Sequence, residues 1–315
     1  MSNYMDMRLK MEYSDYDRHF WNAMRGKLES YDHMNMGRDT ATGNYVMAPV
    51  SDDKFTKARA NESLFRQIAT NICAYGSGYR IWAKDTNDLA LFVPEGSEIP
   101  LESTTHDFTV KSVDSHKLAV FVKTDEDFIR DASFDFESYL TARLAKNFGR
   151  AEENGFINGT GVRMPTGILA ESNGADIGVN TDALTYDNVV KLFFSLKPEY
   201  RRNGVWLMND ETALTLRTLK DADGNYIWNH NNDTILGRPV RISQFMPSAE
   251  PGNKPIAFGD FSYYWVIDRY PLAVRSIKEK FVQMGQIGHL ATEFLDGKLV
   301  RPEAIKVMQM TDNIA

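Results

Sequence analysis

At 315 residues, with 43% apolar and 25% charged side chains, the chain is long enough for one large or two coupled domains and is expected to bury a core rather than stay disordered. A net charge of −7 argues against a protein whose whole surface grips nucleic acid, which needs clustered Lys and Arg. The single cysteine, Cys73, excludes an intrachain disulfide or a thiolate metal cluster and, beside Ile72, reads as a small buried hydrophobe in a reducing compartment.

The N-terminus carries charges throughout and has no apolar core of signal-peptide length. The longest apolar runs, such as Leu118 to Val122 and Tyr263 to Ile267, fall far short of the ~20 residues that cross a bilayer. Synthesis in the cytosol with no membrane association is expected. Tyr13, Asp17, Phe20, Met24, Leu28 and Tyr31 are helically spaced, but one narrow helix with Tyr and Trp21 exposed is not stable alone and needs a surface to lie on. Residues 37–44 read as a polar linker, and Pro49 precedes a second helix carrying Phe55, Phe65 and Ile68.

From Tyr79 the pattern changes to strands: Tyr79 to Ala83, Leu89 to Val93, Phe108 to Val113 and Leu118 to Val122, with polar, turn-rich segments between them. A hairpin with so little apolar surface cannot form its own core and must lean on something outside itself. Next comes the longest signal in the chain. Phe136, Leu140, Leu144, Phe148, Ala151 and Gly155 lay one apolar stripe along a helix, with Asp131 and Asp135 at its start and Gly155, Gly159 and Gly161 at its end. Such a helix spans roughly 30 Å. Its glycines follow rather than precede it, so free carbonyls face outward, and a phosphate cradle is the wrong polarity.

Thr185 to Asp187 then cap a helix bearing Val189, Val190, Leu192, Phe193 and Leu196. Gly204 opens a strand, Val205 to Met208, and Asn209 and Asp210 cap a helix with Leu214, Leu216 and Leu219, before a strand near Pro239 to Ser243. The chain closes on strands Tyr263 to Ile267, Leu272 to Ile277, Gln286 to Phe294 and Ala304 to Met308, expected to complete one sheet under the long helix.

No residue pattern points to catalysis. His19, His33, His106, His116, His230 and His289 are scattered without a His-Glu-x-x-His arrangement, so a zinc site is not expected. Asp221-x-Asp223-Gly224 has its glycine too early for a calcium loop and Asn232 where a bidentate Glu is needed. Gly76-Ser77-Gly78 lacks the Gly-x-Ser-x-Gly elbow. Glu152 and Glu153 point about 100° apart on a helix, cannot clasp one proton as a catalytic pair, and are expected to be solvated or paired across a subunit contact. The expected catalytic, cofactor and metal residues are therefore none.

The run AEENGFINGTGVRMPTGIL from Ala151 to Leu169 resembles the end of the spine helix and the Gly-rich turn of tailed-bacteriophage major capsid proteins, the HK-97-like fold. Tyr200 to Asp210, Leu219 to Trp228, Leu236 to Val240, Ala257 to Tyr264 and Asp296 to Ala304 resemble further segments of that family in order, from about Met47 to Met310. The resemblance implies an α+β HK-97-like capsid fold: an N-terminal arm (1–48) that reaches onto neighbouring subunits, an extended-loop hairpin (79–109), a peripheral domain (49–78 and 110–171, spine helix about 134–157), an α/β axial domain (172–262) and peripheral closing strands (263–315).

It implies a major head protein, not an enzyme, self-assembling into hexamers and pentamers of an icosahedral shell around double-stranded DNA. Portal, scaffolding protein, maturation protease and a cementing protein are expected partners, with assembly in the bacterial host cytoplasm and residence in the virion. An encapsulin-like shell is the alternative within the fold, and an α/β hydrolase or transferase the distant one. Some family members join subunits by a Lys–Asn isopeptide bond assisted by a Glu. Here residues 95–105 of the extended loop have no Lys, the nearest being Lys84 and Lys111. The expected Asn falls near Met284-Gly285, and Glu293 is left with nothing to assist.

Overall fold

The computed structural model describes residues 2–12, 15–39, 42–75, 80–84, 108–131, 133–220, 226, 228 and 233–311. The expected strand Leu89 to Val93 and the body of the extended loop lie outside these residues, as do Gly76-Ser77-Gly78, Asp221 to Gly224, His106 and His230.

Helices α1 (Ser2–Glu12) and α2 (Tyr16–Met24), strand β1 (Tyr45–Val46), helices α3 (Pro49–Glu62) and α4 (Leu64–Ile68) and strand β2 (Thr70–Cys73) open the chain. The helix expected to run on to Tyr31 stops earlier. Gly26, at φ +85°, turns the backbone left-handed, and a 3-10 turn over Leu28–His33 follows. The surface that α2 needs belongs to its own subunit. Tyr16, Phe20 and Trp21 are buried, Trp21 donates Nε1–H to Ser51 Oγ at 3.0 Å and Tyr16 donates its hydroxyl to Val46 O at 2.7 Å. The segment read as an arm over neighbours therefore contributes, through α2, to the subunit's own core. The helix expected from Pro49 through Ile68 breaks at Ser63, which is extended.

Strands β3 (Arg80–Lys84) and β4 (Phe108–Ser112) pair as a separate antiparallel hairpin, with Lys84 opposite Phe108. Strand β5 (His116–Asp125) and the short helix α5 (Glu126–Arg130) lead into α6 (Phe136–Asn158), capped by the Asp135 side chain accepting from Ser138 N–H.

The stripe on α6 differs from the expected one in its last two positions. Phe136, Leu140, Leu144 and Phe148 are buried, but Ala151 is exposed, and the buried row continues through Glu152 and Phe156. Steps of four on a helix of 3.6 residues per turn rotate by about 40° each, so the buried direction swings around the axis along the helix. That swing carries α6 from one core to another. Its first half packs with α2, α3 and one sheet, whereas Phe156 and Ile157 join a second cluster with Leu207, Ala257, Ile305 and Val307. Gly149 lets α3 approach, since a Cβ there would meet Glu62 Cβ at 2.8 Å and Arg59 O at 3.1 Å.

Beyond α6 come β6 (Asp176–Thr181), α7 (Tyr186–Ser195), α8 (Pro198–Arg201), β7 (Val205–Met208), α9 (Asp210–Thr218), β8 (Thr234–Ile235), β9 (Arg238–Ile242) and β10 (Ile256–Gly259). Strands β11 (Tyr264–Ile277), β12 (Gln286–Leu299) and β13 (Ile305–Met310) close the chain. Thr185 and Asn209 cap α7 and α9 by accepting from Asn188 N–H and Thr212 N–H. On α9, Leu216 is buried but Leu214 is exposed, so the expected apolar trio is not one face.

The first sheet runs β1-β11-β12-β5, with β2 also on β11. The two strands expected at Tyr263 to Ile267 and Leu272 to Ile277 are one, β11, interrupted only by register shifts. The second sheet runs β6-β13-β10-β7-β9-β8. β13 was expected under the long helix with β11 and β12, but it pairs β10 antiparallel and β6 parallel and so belongs to this second sheet. The reason is two-sided burial. Ile305 and Val307 pack against the end of α6, while Met308 packs with Trp206, Met208 and Phe258 towards α7 and α9.

Candidate functional site

Where α6 passes from the first core to the second, five charged side chains from five elements meet out of water. Arg66, on α4, donates Nε–H to Glu152 Oε2 at 2.9 Å and Nη2–H to Glu152 Oε1 at 2.8 Å. It also donates to both oxygens of Asp268 on β11, at 2.9 and 2.7 Å. Arg59, on α3, donates Nη1–H to Glu152 Oε1 at 3.2 Å and to Glu293 Oε2, on β12, at 2.6 Å, and its guanidinium lies 5.1 Å from the Phe55 ring centroid. Glu152 is 1% exposed and Glu293 2%.

Burial by itself raises a carboxyl pKa, but at Glu152 and Asp268 the two guanidiniums outweigh it and hold both groups below the ordinary range. Glu293 goes the other way. Burial pushes it well up, Arg59 only partly opposes this, and the adjacent Glu152 carboxyl adds to the rise.

Glu152 and Glu153 are thus neither solvated nor held for another subunit. Glu153 accepts Leu64 N–H at 2.9 Å and the Ser243 hydroxyl, tying α6 to α4 and to the segment after β9. Nor is Glu293 idle, since it is the β12 anchor of the cluster. Arg59, Arg66 and Asp268 had no part in the sequence reading. Arg59 and Arg66 lie seven apart, and Glu152 falls on the four-residue steps of the stripe, which are the local signals; the pairing itself is long-range.

Glu152 and Asp268 are saturated by guanidiniums and Glu293 is held through one oxygen by Arg59, so the geometry fits a structural tie rather than acid–base chemistry. A cavity of about 270 Å³ beside α6 is lined by His116, Leu118, Glu152, Asn154, Arg163 and Leu295 among others, a mixed wall in which Glu152 is already bound by Arg59 and Arg66 and His116 faces Asp296. The turn after α6 is a helix cap. Gly167, Ile168 and Leu169 donate N–H to the carbonyls of Gly159, Phe156 and Ile157 at 2.8, 2.8 and 3.0 Å, so the carbonyls that end the helix are met.

Of the histidines, His19 and His33 stack with centroids 4.4 Å apart, and His289 is buried with Nε2 3.0 Å from Met24 O. Tertiary structure brings His116 to Asp114 and Asp296, a grouping that sequence spacing did not suggest. Lys298 Nζ lies 2.8 Å from Asp114 Oδ2 and 3.4 Å from Asp296 Oδ2, so an ammonium already supplies the positive charge there. Cys73 was expected buried but is exposed, because the alternation along β2 covers Ile72 and turns Cys73 outward. Lys84 and Lys111 lie on β3 and β4, and Met284 ends a 3-10 turn closed by Gly285 at φ +62°. Among the described residues no helix is long and apolar enough to cross a membrane.

The sequence profile of the Phage capsid family matches residues 43–310. The chain is 24% identical over 217 residues to the probable major capsid protein gp17 of Mycobacterium phage L5, covering 66% of this chain and 65% of that protein. It is 27% identical over 170 residues to the capsid polyprotein of Pseudomonas phage PAJU2, covering 51% of this chain and 25% of the polyprotein. The chain thus spans less than two thirds of the length of these curated relatives. Among solved structures, the capsid of a native GTA particle superposes with a TM-score of 0.67 at 30% identity, over 80% of this chain and 90% of that one. A Gordonia phage Cozz structure, at 13% identity and a TM-score of 0.56, shares the fold. A two-sheet α+β subunit crossed by one long helix, matched by the family profile from before β1 to the end of β13, has the HK-97-like capsid fold, and the chain belongs to the phage capsid family, whose members are structural proteins and not enzymes.

Proposed function

We propose that this chain is the major head protein of a tailed phage or prophage, assembling into hexamers and pentamers of an icosahedral shell that encloses double-stranded DNA. The carrying observation is the match to a GTA particle capsid at 30% identity over 90% of that chain. Phage capsid proteins are virion components, and capsid shells imply self-assembly into capsomers. The subunit's form supports the same reading. Among the described residues the β3–β4 hairpin pairs with neither sheet, and Phe128, Val162, Phe194, Leu214, Val282 and Met284 are exposed apolar side chains distributed over both halves of the subunit. Association through many modest contacts would cover such surfaces.

In this reading, assembly takes place in the host cytoplasm with a portal, a scaffolding protein or maturation protease and, on the finished head, a cementing protein. Net charge −7 suits a wall that packaged DNA touches without gripping. The encapsulin-like and hydrolase readings are not favoured, since the named relatives are capsid proteins of phages and a GTA particle. Light scattering and electron microscopy of the purified chain test the proposal: closed shells or capsomers are expected. A stable monomer at every concentration, with full thermal stability, would overturn it.

A further inference from the structure

We propose that Glu293 and Glu152 share one proton in the folded subunit, so that the junction of α3, α4 and α6 with the first sheet is a charge-balanced tie that weakens as pH rises. The count of charges motivates this. Two guanidiniums, Arg59 and Arg66, face three carboxyls, Glu152, Asp268 and Glu293, and among the described residues those carboxyls make ion pairs with these two arginines alone.

Arg66 is fully engaged by Glu152 and Asp268. Arg59 divides its Nη1 between Glu152 and Glu293, and its Nη2 lies 3.6 Å from Asp268. Three charged carboxylates would leave one uncompensated negative charge at a site where Glu293 is 2% exposed, and isolated buried charges neutralise instead.

The geometry shows which carboxyl takes the proton. Glu152 accepts three N–H bonds from guanidiniums and Asp268 two, so neither has reason to be protonated. Glu293 accepts one, at Oε2, while its buried Oε1 receives no donor. Glu152 Oε1 and Glu293 Oε2 both accept from Arg59 Nη1, so the two carboxyls are neighbours on one nitrogen and the proton placed between them has an acceptor at hand. Among the described residues no further cation forms an ion pair with these carboxyls: His116 and Lys117 on β5 line the same cavity as Glu152, but His116 faces Asp296 at 3.5 Å. β5 presents Leu118 opposite Glu293, Glu153 turns away to Leu64 and Ser243, and Asp52 on α3 is a further acid, itself pushed up to about 6 by burial against the pull of Arg8 and Arg59. His289, four residues along β12, is engaged with Met24 O.

The direction of the pH response follows. The folded state holds this proton at pH values where the unfolded chain has released it, so the stabilisation is fully present below the ordinary Glu range and is lost as pH rises towards the folded-state value. Loss of the proton places two carboxylates against each other and loosens the grip of β12 on α3 and α6 while Arg66 still holds α4 to α6 and β11.

The test is equilibrium urea unfolding of the full-length chain across a series of pH values, for the natural chain and for Glu293→Gln, whose amide keeps a neutral donor facing Glu152. The expected result is that the ratio of the two folding constants, natural over variant, falls about tenfold per pH unit above about pH 5. A ratio that stays flat over that range means Glu293 is ionised in the folded subunit and overturns the proposal.

Should the variant not fold, infrared spectroscopy of the natural chain decides. A protonated-carboxyl C=O band that persists at neutral pH and shifts on carbon-13 labelling of glutamate is expected, and its absence refutes the proton. Both readouts concern the subunit and are independent of whether shells form.

Discussion

Arg66 and Glu152, 86 positions apart in sequence, make a bidentate pair at 2.9 and 2.8 Å with both side chains almost wholly out of water. The pair fastens α4 to the C-terminal half of the longest helix at the point where that helix leaves one core for the other, and Asp268 extends it to β11. Removal of the cation alone leaves two buried carboxylates without their main partner, which is far worse than never having had the pair.

Arg66→Ala is therefore expected to destabilise the subunit by about 3–5 kcal/mol. Arg150→Ala, on the exposed face of α6, is expected to change stability by less than about 0.5 kcal/mol. Urea midpoints of the two variants compare them directly. Equal effects would mean that the junction contributes no more than surface charge.

Leu144 is wholly buried in the middle of the α6 stripe. Leu144→Ala is expected to cost about 2–5 kcal/mol and Leu144→Asp to abolish soluble expression, because a carboxylate there has no partner. Arg143→Ala, one residue away but exposed, is the control and should express normally. Normal assembly of the Leu144→Asp variant would sink this placement of the helix.

His289 gives an acid-side response. Burial lowers its pKa, with the carbonyls of Met24 and Val122 opposing only in part, so the folded protein holds a neutral imidazole. The unfolded chain binds the proton first as pH falls, and stability declines from about pH 6.5 downwards until the folded-state value is reached. In His289→Gln that part of the decline should be missing. The check is the difference in folding constant between the two chains at pH 7 and at successively lower pH; a constant difference would refute it. Because the ring faces Met24 O, hydrogen exchange in α2 is expected to respond first.

Lys84 and Phe108 are paired across β3 and β4, so the chain segment between them can be shortened without moving either strand. Deletion of Asp85 to Ser103 with a short glycine bridge should leave a folded subunit that cannot build a stable shell. Circular dichroism checks the fold and electron microscopy the assembly. Unfolding of the deleted chain would show that the segment serves its own core.

Particles are expected to be free of covalent links between subunits. The isopeptide reaction needs a lysine, an asparagine and an assisting carboxylate in one dry contact. Glu293 is engaged by Arg59, and Met284-Gly285 stands where the asparagine is expected. On a denaturing gel after boiling, a single band near 35.8 kDa is expected. A ladder of multiples that survives reductant would implicate Lys84 or Lys111.

The sequence by itself determined the elements whose signals are local. The acidic start of α6 at Asp135, the row from Phe136 to Phe148, Gly159 at the helix end and the capped starts of α7 and α9 depend on residues a few positions apart, and periodicity and capping read them directly, whereas Gly155, expected to end the helix, lies inside it. The ordered motifs that resemble the capsid family are likewise legible in the chain alone. Tertiary structure decided everything that depends on which distant segments meet. Trp21 and Phe20 are buried because the first sheet and α3 lie beneath them, and nothing in the helix says so. β13 reads as one more apolar strand, and only the cover on both its faces assigns it to the second sheet. Glu152 looks like a surface residue on an amphipathic helix until Arg59, Arg66, Asp268 and Glu293 arrive from four other elements. A buried charge is tolerable only with its partners in place, and those partners are fixed by packing between residues as many as 234 positions apart.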